Sequence, residues 1–120
     1  MSTNSRDTAD CALIDENTIQ ELREEGGGLL SDLVAMFIEE VPGQLAMLDA
    51  ALAKGDTAAA RLTAHTLKGT AANFGAARMQ ALASALEMKG RDGSLEGASA
   101  LFIQLQAECR RVQSALEAAR

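Results

Sequence analysis

Residues 29–53 read Leu29-Leu30-Ser31-Asp32-Leu33-Val34-Ala35-Met36-Phe37-Ile38-Glu39-Glu40-Val41-Pro42-Gly43-Gln44-Leu45-Ala46-Met47-Leu48-Asp49-Ala50-Ala51-Leu52-Ala53. Leu30, Leu33, Val34, Phe37, Ile38, Val41, Leu45, Leu48 and Leu52 recur at steps of three and four, which lays one apolar stripe along a helix. Pro42 lacks an N–H and its ring crowds the carbonyl of Ile38. Because the stripe resumes beyond it, a kink is expected there and not a stop.

The same period continues on both sides. Upstream, Asp15 can cap a short helix over about Glu16–Glu24 that buries Ile19 and Leu22, and Gly26-Gly27-Gly28 ends it. Downstream, Gly55 suits a left-handed helix end and Asp56 caps a helix over about Thr57–Phe74, which Gly75 breaks. A further helix over about Ala76–Lys89 carries Met79, Leu82, Ala83 and Leu86 on one side. Gly90-Arg91-Asp92-Gly93-Ser94 reads as a turn, with Ser94 as cap of a last helix over about Leu95–Ala118 that shows Ala98, Leu101, Phe102, Leu105, Cys109, Val112 and Leu116. Four long amphipathic helices on short Gly/Asp turns pack best as an antiparallel up-down four-helix bundle, here with a short extra N-terminal helix. The fold class is all-α. Residues 1–12 are polar and unpatterned and read as a flexible tail, leaving residues 13–120 as one domain.

Composition agrees. The 120 residues hold 24 alanines and 16 leucines but no Trp, no Tyr and three Phe, a balance that favours helices over strands. With 48% hydrophobic residues the chain can bury a core. Eleven Lys+Arg against seventeen Asp+Glu leave a net charge of −6, which argues against a nucleic-acid partner. No apolar run approaches the ~20 residues that span a bilayer, so no membrane association is expected. Met1-Ser2-Thr3-Asn4-Ser5-Arg6-Asp7 lacks the apolar core of a secretory signal, which makes the cytoplasm the expected compartment. Cys11 and Cys109 with a single histidine offer too few ligands for a zinc site, so no metal is expected and both cysteines read as free thiols, Cys109 semi-buried.

The stretch Ala64-His65-Thr66-Leu67-Lys68-Gly69-Thr70-Ala71-Ala72-Asn73-Phe74-Gly75-Ala76 carries the chemistry. At ~100° per residue, Ala60, Ala64, Leu67, Ala71 and Phe74 share one arc, the core face. Arg61, His65, Lys68 and Ala72 share a neighbouring arc with Gly69 beside them, so the one histidine projects from the side of the bundle. A glycine inside a helix costs about 0.5–1 kcal/mol relative to alanine. Gly69 therefore either clears space beside the imidazole for another protein's backbone or lets a neighbouring helix pack close. Lys68, three residues on, meets His65 on the surface and can neutralise oxygens of a phosphoryl group on the ring. Leu62 falls between the arcs, either exposed for docking or, the favoured reading, buried against the first helix.

His65-Thr66-Leu67-Lys68-Gly69 followed by Asn73-Phe74-Gly75-Ala76 resembles the motif of the histidine-containing phosphotransfer (HPt) domains of bacterial and fungal phosphorelays, and the likeness extends over about residues 15–118. The resemblance implies that His65 accepts the phosphoryl group, that Lys68 stabilises it and that Gly69 gives the partner access. Family members often set a Gln or Glu against the imidazole from the following helix, about 22 positions on, which is Glu87 here. Glu87 would fix the ring tautomer, or else stand in solvent paired with Arg91, itself a weaker candidate. The resemblance further implies a phosphorelay intermediate without ATP site or autokinase activity. It would take the group from a receiver-domain aspartate and pass it to another receiver, with response regulators and a hybrid sensor histidine kinase as partners. It would bind no cofactor of its own, Mg²⁺ being held by the receiver.

Two other readings remain at this level: a non-catalytic helical adaptor, or the excised phosphotransfer module of a larger histidine kinase. Against a kinase dimerisation domain, Thr66 follows the histidine where an acidic residue is usual, and no Pro occurs after position 42. The chain also has no Gly-x-x-x-x-Gly-Lys-[Ser/Thr] loop. The opening Met points to a complete small protein, and one bundle suffices for a monomer.

Overall fold

The computed structural model describes residues 13–120; the expected tail 1–12, with Cys11, lies outside the described residues. Those described are helical and connecting, with no strand among them. The helices are α1 (Glu16–Glu25), α2 (Leu29–Lys54), α3 (Thr57–Asn73), α4 (Ala77–Asp92) and α5 (Ala98–Ala119). Helices α2 to α5 pack each against the next, α5 returns against α2, and α1 lies on α2. This is the up-down four-helix bundle with its extra N-terminal helix.

The start signals expected for α1 and α3 are in place. Asp15 accepts from the N–H of Thr18 at 2.9 Å and from its hydroxyl at 2.7 Å, and Asp56 accepts from the N–H of Ala59 at 3.0 Å, each satisfying a donor that the first helical turn leaves free. The N–H groups of Gly55 and Asp56 close on the carbonyls of Leu52 and Ala51 and end α2. That helix runs through Pro42 without interruption.

Two boundaries differ from the expectation. Helix α4 does not stop at Lys89 but continues to Asp92, and Gly93 ends it at φ 78°. Gly90 is thus a buried helical residue and not part of a turn. A Cβ on it would stand 2.8 Å from the nitrogen of Arg61 and 2.8 Å from the carbonyl oxygen of Thr57. The glycine lets α3 and α4 approach backbone to backbone. Ser94 is not the cap of α5 either. The chain makes one more turn, the N–H of Ala98 bonds the carbonyl of Leu95 at 3.0 Å, and Gly97 opens the helix at φ 80° with no side-chain cap.

The core is built from the predicted stripes: Val34, Phe37 and Leu48 of α2, Leu67 of α3, Met79 and Leu86 of α4, and Leu105, Val112 and Leu116 of α5 are all buried. Phe37 and Phe74 meet edge to face, centroids 6.0 Å apart, a geometry that the ring quadrupoles favour. Both α3 and α4 bury small residues (Ala60, Ala64, Ala71, Ala83, Gly90), and at Gly90 the two helices hold one another at short range. The other end of α3 is clasped by the start of α1. The N–H of Asp15 bonds the carbonyl of Phe74 at 3.0 Å, and Gly75, at φ 62°, has no room for a side chain because Asp15 occupies the place of its Cβ.

One buried charge had no counterpart in the sequence reading. Glu108 of α5 is 1% exposed; Oε1 accepts from Arg111 Nη2 at 2.9 Å and lies 3.6 Å from Arg78 Nε of α4. Cys109 beside it is fully buried, beyond the semi-burial expected. Loss of solvent pushes its thiol up to about 12, with the Glu108 charge adding to the effect.

Candidate functional site

Helix α3 sets its core residues Ala60, Ala64, Leu67 and Ala71 inward, and this fixes where the rest of its circumference points. His65 stands on the outer side with 64% of its side chain exposed. From the facing turn of α4, Glu87 reaches it: Oε2 lies 2.9 Å from Nδ1 of the ring. The other oxygen, Oε1, pairs with Lys68 Nζ at 2.6 Å. One carboxylate therefore joins a ring and an ammonium that are one turn apart on the neighbouring helix.

Glu87 is 5% exposed. The Lys68 ammonium holds its carboxyl below the usual carboxylate range, burial works against this, and the contact with His65 adds to the lowering. An ionised carboxylate can only accept hydrogen bonds, so Nδ1 is the donor in the contact with Glu87. In the neutral ring this contact selects the tautomer with hydrogen on Nδ1, which leaves the lone pair on Nε2.

Gly69 lies one turn beyond His65 with nothing within 4 Å of where a Cβ would be. No helix packs there, so of the two sequence readings close helix packing is excluded at Gly69; that role belongs to Gly90. Ala72 and Asn73 beyond it are exposed, as is Thr66. Leu62, one turn before His65, is 58% exposed and not buried against the first helix, because α1 packs on α2 and on the α3–α4 turn and leaves this flank uncovered. Met88, next to Glu87, is 51% exposed. Arg91 is exposed and, among the described residues, makes no ion pair with Glu87. A groove of about 340 Å³ between α2 and α5, lined by Pro42, Phe102, Cys109 and Arg110, is bordered by neither His65, Lys68 nor Glu87. The histidine faces open surface.

A family model described as "Hpt domain" matches residues 32–115, more than half of the chain. The chain is a member of the Hpt family. No curated protein matches it. Among solved structures it is similar to histidine-containing phosphotransfer protein B (HptB) from Pseudomonas aeruginosa PAO1, with 31% identity, a TM-score of 0.82, and 88% of this chain and 91% of that one covered. The Hpt domain of an Hpt sensor hybrid histidine kinase from Shewanella shares the fold, with 20% identity, a TM-score of 0.73, and coverage of 89% and 92%.

As an Hpt protein the chain is a phosphotransfer intermediate of phosphorelays, a carrier that interacts with receiver domains and histidine kinases. No helix of the described residues is long and apolar enough to cross a membrane. The structure brings His65 and Lys68 each into contact with Glu87 and leaves Gly69 open beside them. Burial of Glu87 could have been read from its place among the apolar positions, four residues after Ala83 and three before Gly90. The missed Glu108 carries the same signal, three residues after Leu105 and four before Val112.

Proposed function

We propose that His65 is the phospho-accepting residue, taking a phosphoryl group on Nε2 from the aspartyl phosphate of one receiver domain and giving it to the aspartate of another. The observation that carries this reading is the one histidine, its side chain exposed and its Nδ1 held by the buried carboxylate of Glu87. Nε2 attacks phosphorus as the bond to the aspartyl oxygen breaks, and the electron pair stays on that carboxylate. Lys68 sits one turn away to offset the charge of the phosphoryl oxygens. Gly69 leaves the approach clear for the partner's backbone, and Leu62 and Met88 offer apolar contact to a docking surface of modest size. Positioning and charge neutralisation supply most of such a transfer.

In this reading the receiver brings the Mg²⁺, and the protein has no ATP site or autokinase activity of its own. It works as a cytoplasmic monomer. The net charge of −6 supports protein partners over nucleic acid.

The test mixes the protein with a phosphorylated receiver domain and follows acid-labile, alkali-stable label. Wild type takes it up and His65→Gln does not. Absence of uptake would return the chain to the adaptor reading, and labelling from ATP alone would refute a carrier without kinase activity.

A further inference from the structure

Glu87 divides its two oxygens between Nδ1 of His65 and the Lys68 ammonium, and it does so from a buried position. We propose that Glu87, by being a carboxylate and not an amide, keeps the proton on Nδ1 after Nε2 is phosphorylated, so that the protein holds its phosphoryl group as a labile phosphoimidazolium, and that Lys68 sets how much of the carboxylate's charge reaches the ring. The inference rests on the reading of His65 as the acceptor.

The argument begins with the balance of the transfer. When the Nδ1–H tautomer forms the Nε2–P bond, no proton is lost from the nitrogen that attacks, so the ring gains one positive charge. It can keep that charge, or it can release the Nδ1 proton to become a neutral phosphoimidazole. The two species differ in reactivity. From the protonated ring, the N–P bond breaks to return a neutral imidazole, a good leaving group; from the neutral ring, it must expel an imidazolide, a poor one. Holding the Nδ1 proton therefore keeps the phosphoryl group transferable, and equally exposes it to water.

The partner of Nδ1 decides which form persists. An amide can offer its oxygen to Nδ1–H or turn its NH₂ toward a bare Nδ1, and so accommodates both forms. A carboxylate has no hydrogen to give. A deprotonated Nδ1 at 2.9 Å from Oε2 would set one lone pair against another, and the buried site leaves little water to intervene. Lys68 opposes this hold by drawing on Oε1. Among the described residues, the charged groups that bear on Glu87 are Lys68 and His65, both from α3. One turn away on α4 stand Ala83, Ser84 and Gly90, which carry no charge, and Arg91, which is exposed and makes no ion pair with Glu87 among the described residues.

Potassium phosphoramidate phosphorylates accessible imidazoles without a donor protein, and His65 is the one histidine in the sequence, so the label is unambiguous. The Nδ1 titration of the phosphorylated ring is read by ¹⁵N NMR, and its dephosphorylation half-life by ³¹P NMR over the same pH range. Glu87→Gln is expected to lower the Nδ1 titration by about one pH unit, the size of effect that a lost neighbouring charge produces. Between the two midpoints its half-life should lengthen by up to about tenfold. Lys68→Met is expected to move both readouts the other way. Coincident titrations for wild type and Glu87→Gln would overturn the proposal, and so would shifts of the same sign in both variants, which is what loosened packing would give. Failure of a receiver to label His65 would instead sink the phosphorelay role of this histidine, and leave these titrations standing.

Discussion

Gly69 and Gly90 are both inside helices and lie in opposite surroundings, so one substitution, to alanine, should act on them with opposite sign. At Gly69 a Cβ meets nothing within 4 Å. The change keeps only the gain in helix propensity, about 0.8–1 kcal/mol. Unfolding entropy of roughly 2 cal/mol/K per residue over a domain of this size makes that a rise of about 4 °C in Tm. At Gly90 the same methyl would stand 2.8 Å from Arg61 N and Thr57 O and 2.9 Å from Arg61 Cβ. These atoms are backbone or fixed to it and cannot swing aside, so α3 and α4 must part. Overpacking of this kind costs about 1–3 kcal/mol and outweighs the propensity gain, so Tm should fall. Thermal melts followed by far-UV circular dichroism in one buffer decide the matter. A lower Tm for Gly69→Ala, or a higher one for Gly90→Ala, would refute the assignment of the first glycine to open surface and the second to the helix contact.

Four other outcomes are expected. Gly69→Gln should fold as well as wild type yet lose most receiver-dependent phosphotransfer, measured as initial rate; an unchanged rate would remove the access role of this glycine. Because the Glu87 carboxyl is held below its ordinary value of 4.5, its contribution to stability is full above the unfolded value and is lost as pH falls through the folded one. Urea midpoints measured from neutral pH downward should therefore fall more steeply for wild type than for Glu87→Gln, and parallel curves would contradict this. Arg111→Ala, which strips the buried Glu108 of its closest partner, should destabilise by about 2–3 kcal/mol in urea unfolding; a change near zero would show that Arg78 alone satisfies the carboxylate. In a Cys11→Ser background, Cys109, with its thiol near 12, should resist alkylation in the native protein and react once unfolded.

What the sequence made readable was whatever is local to a turn or two. The stripe from Leu30 to Leu52, the caps at Asp15 and Asp56 and the helix end at Gly55 each depend on neighbours within a few residues, and each is found. The errors arose where the deciding partner is remote in the chain. Gly90 reads as a breaker until Thr57 and Arg61, about thirty residues earlier, are seen to fill the place of its side chain. Leu62 lies between the arcs of its own helix, and only the placement of α1 against α2 leaves it exposed. At the site, helical periodicity alone sets His65, Lys68 and Gly69 together on the outward face. That Glu87 meets both His65 and Lys68 depends on the relative height of two helices, which no single-helix pattern encodes; the resemblance pointed to the position, and only the tertiary contact shows both oxygens engaged.

The contact at Gly90 has a mechanical meaning for the chemistry. Gly90 and Glu87 are successive rungs on the same side of α4, and they face Arg61 and His65, successive rungs of α3. The glycine thus works as a caliper for the rung above it. A methyl group added in this interior position would widen the jaws and draw the carboxylate off the ring, so with His65 in the proposed acceptor role the rate of transfer is expected to follow the thickness of a hidden joint.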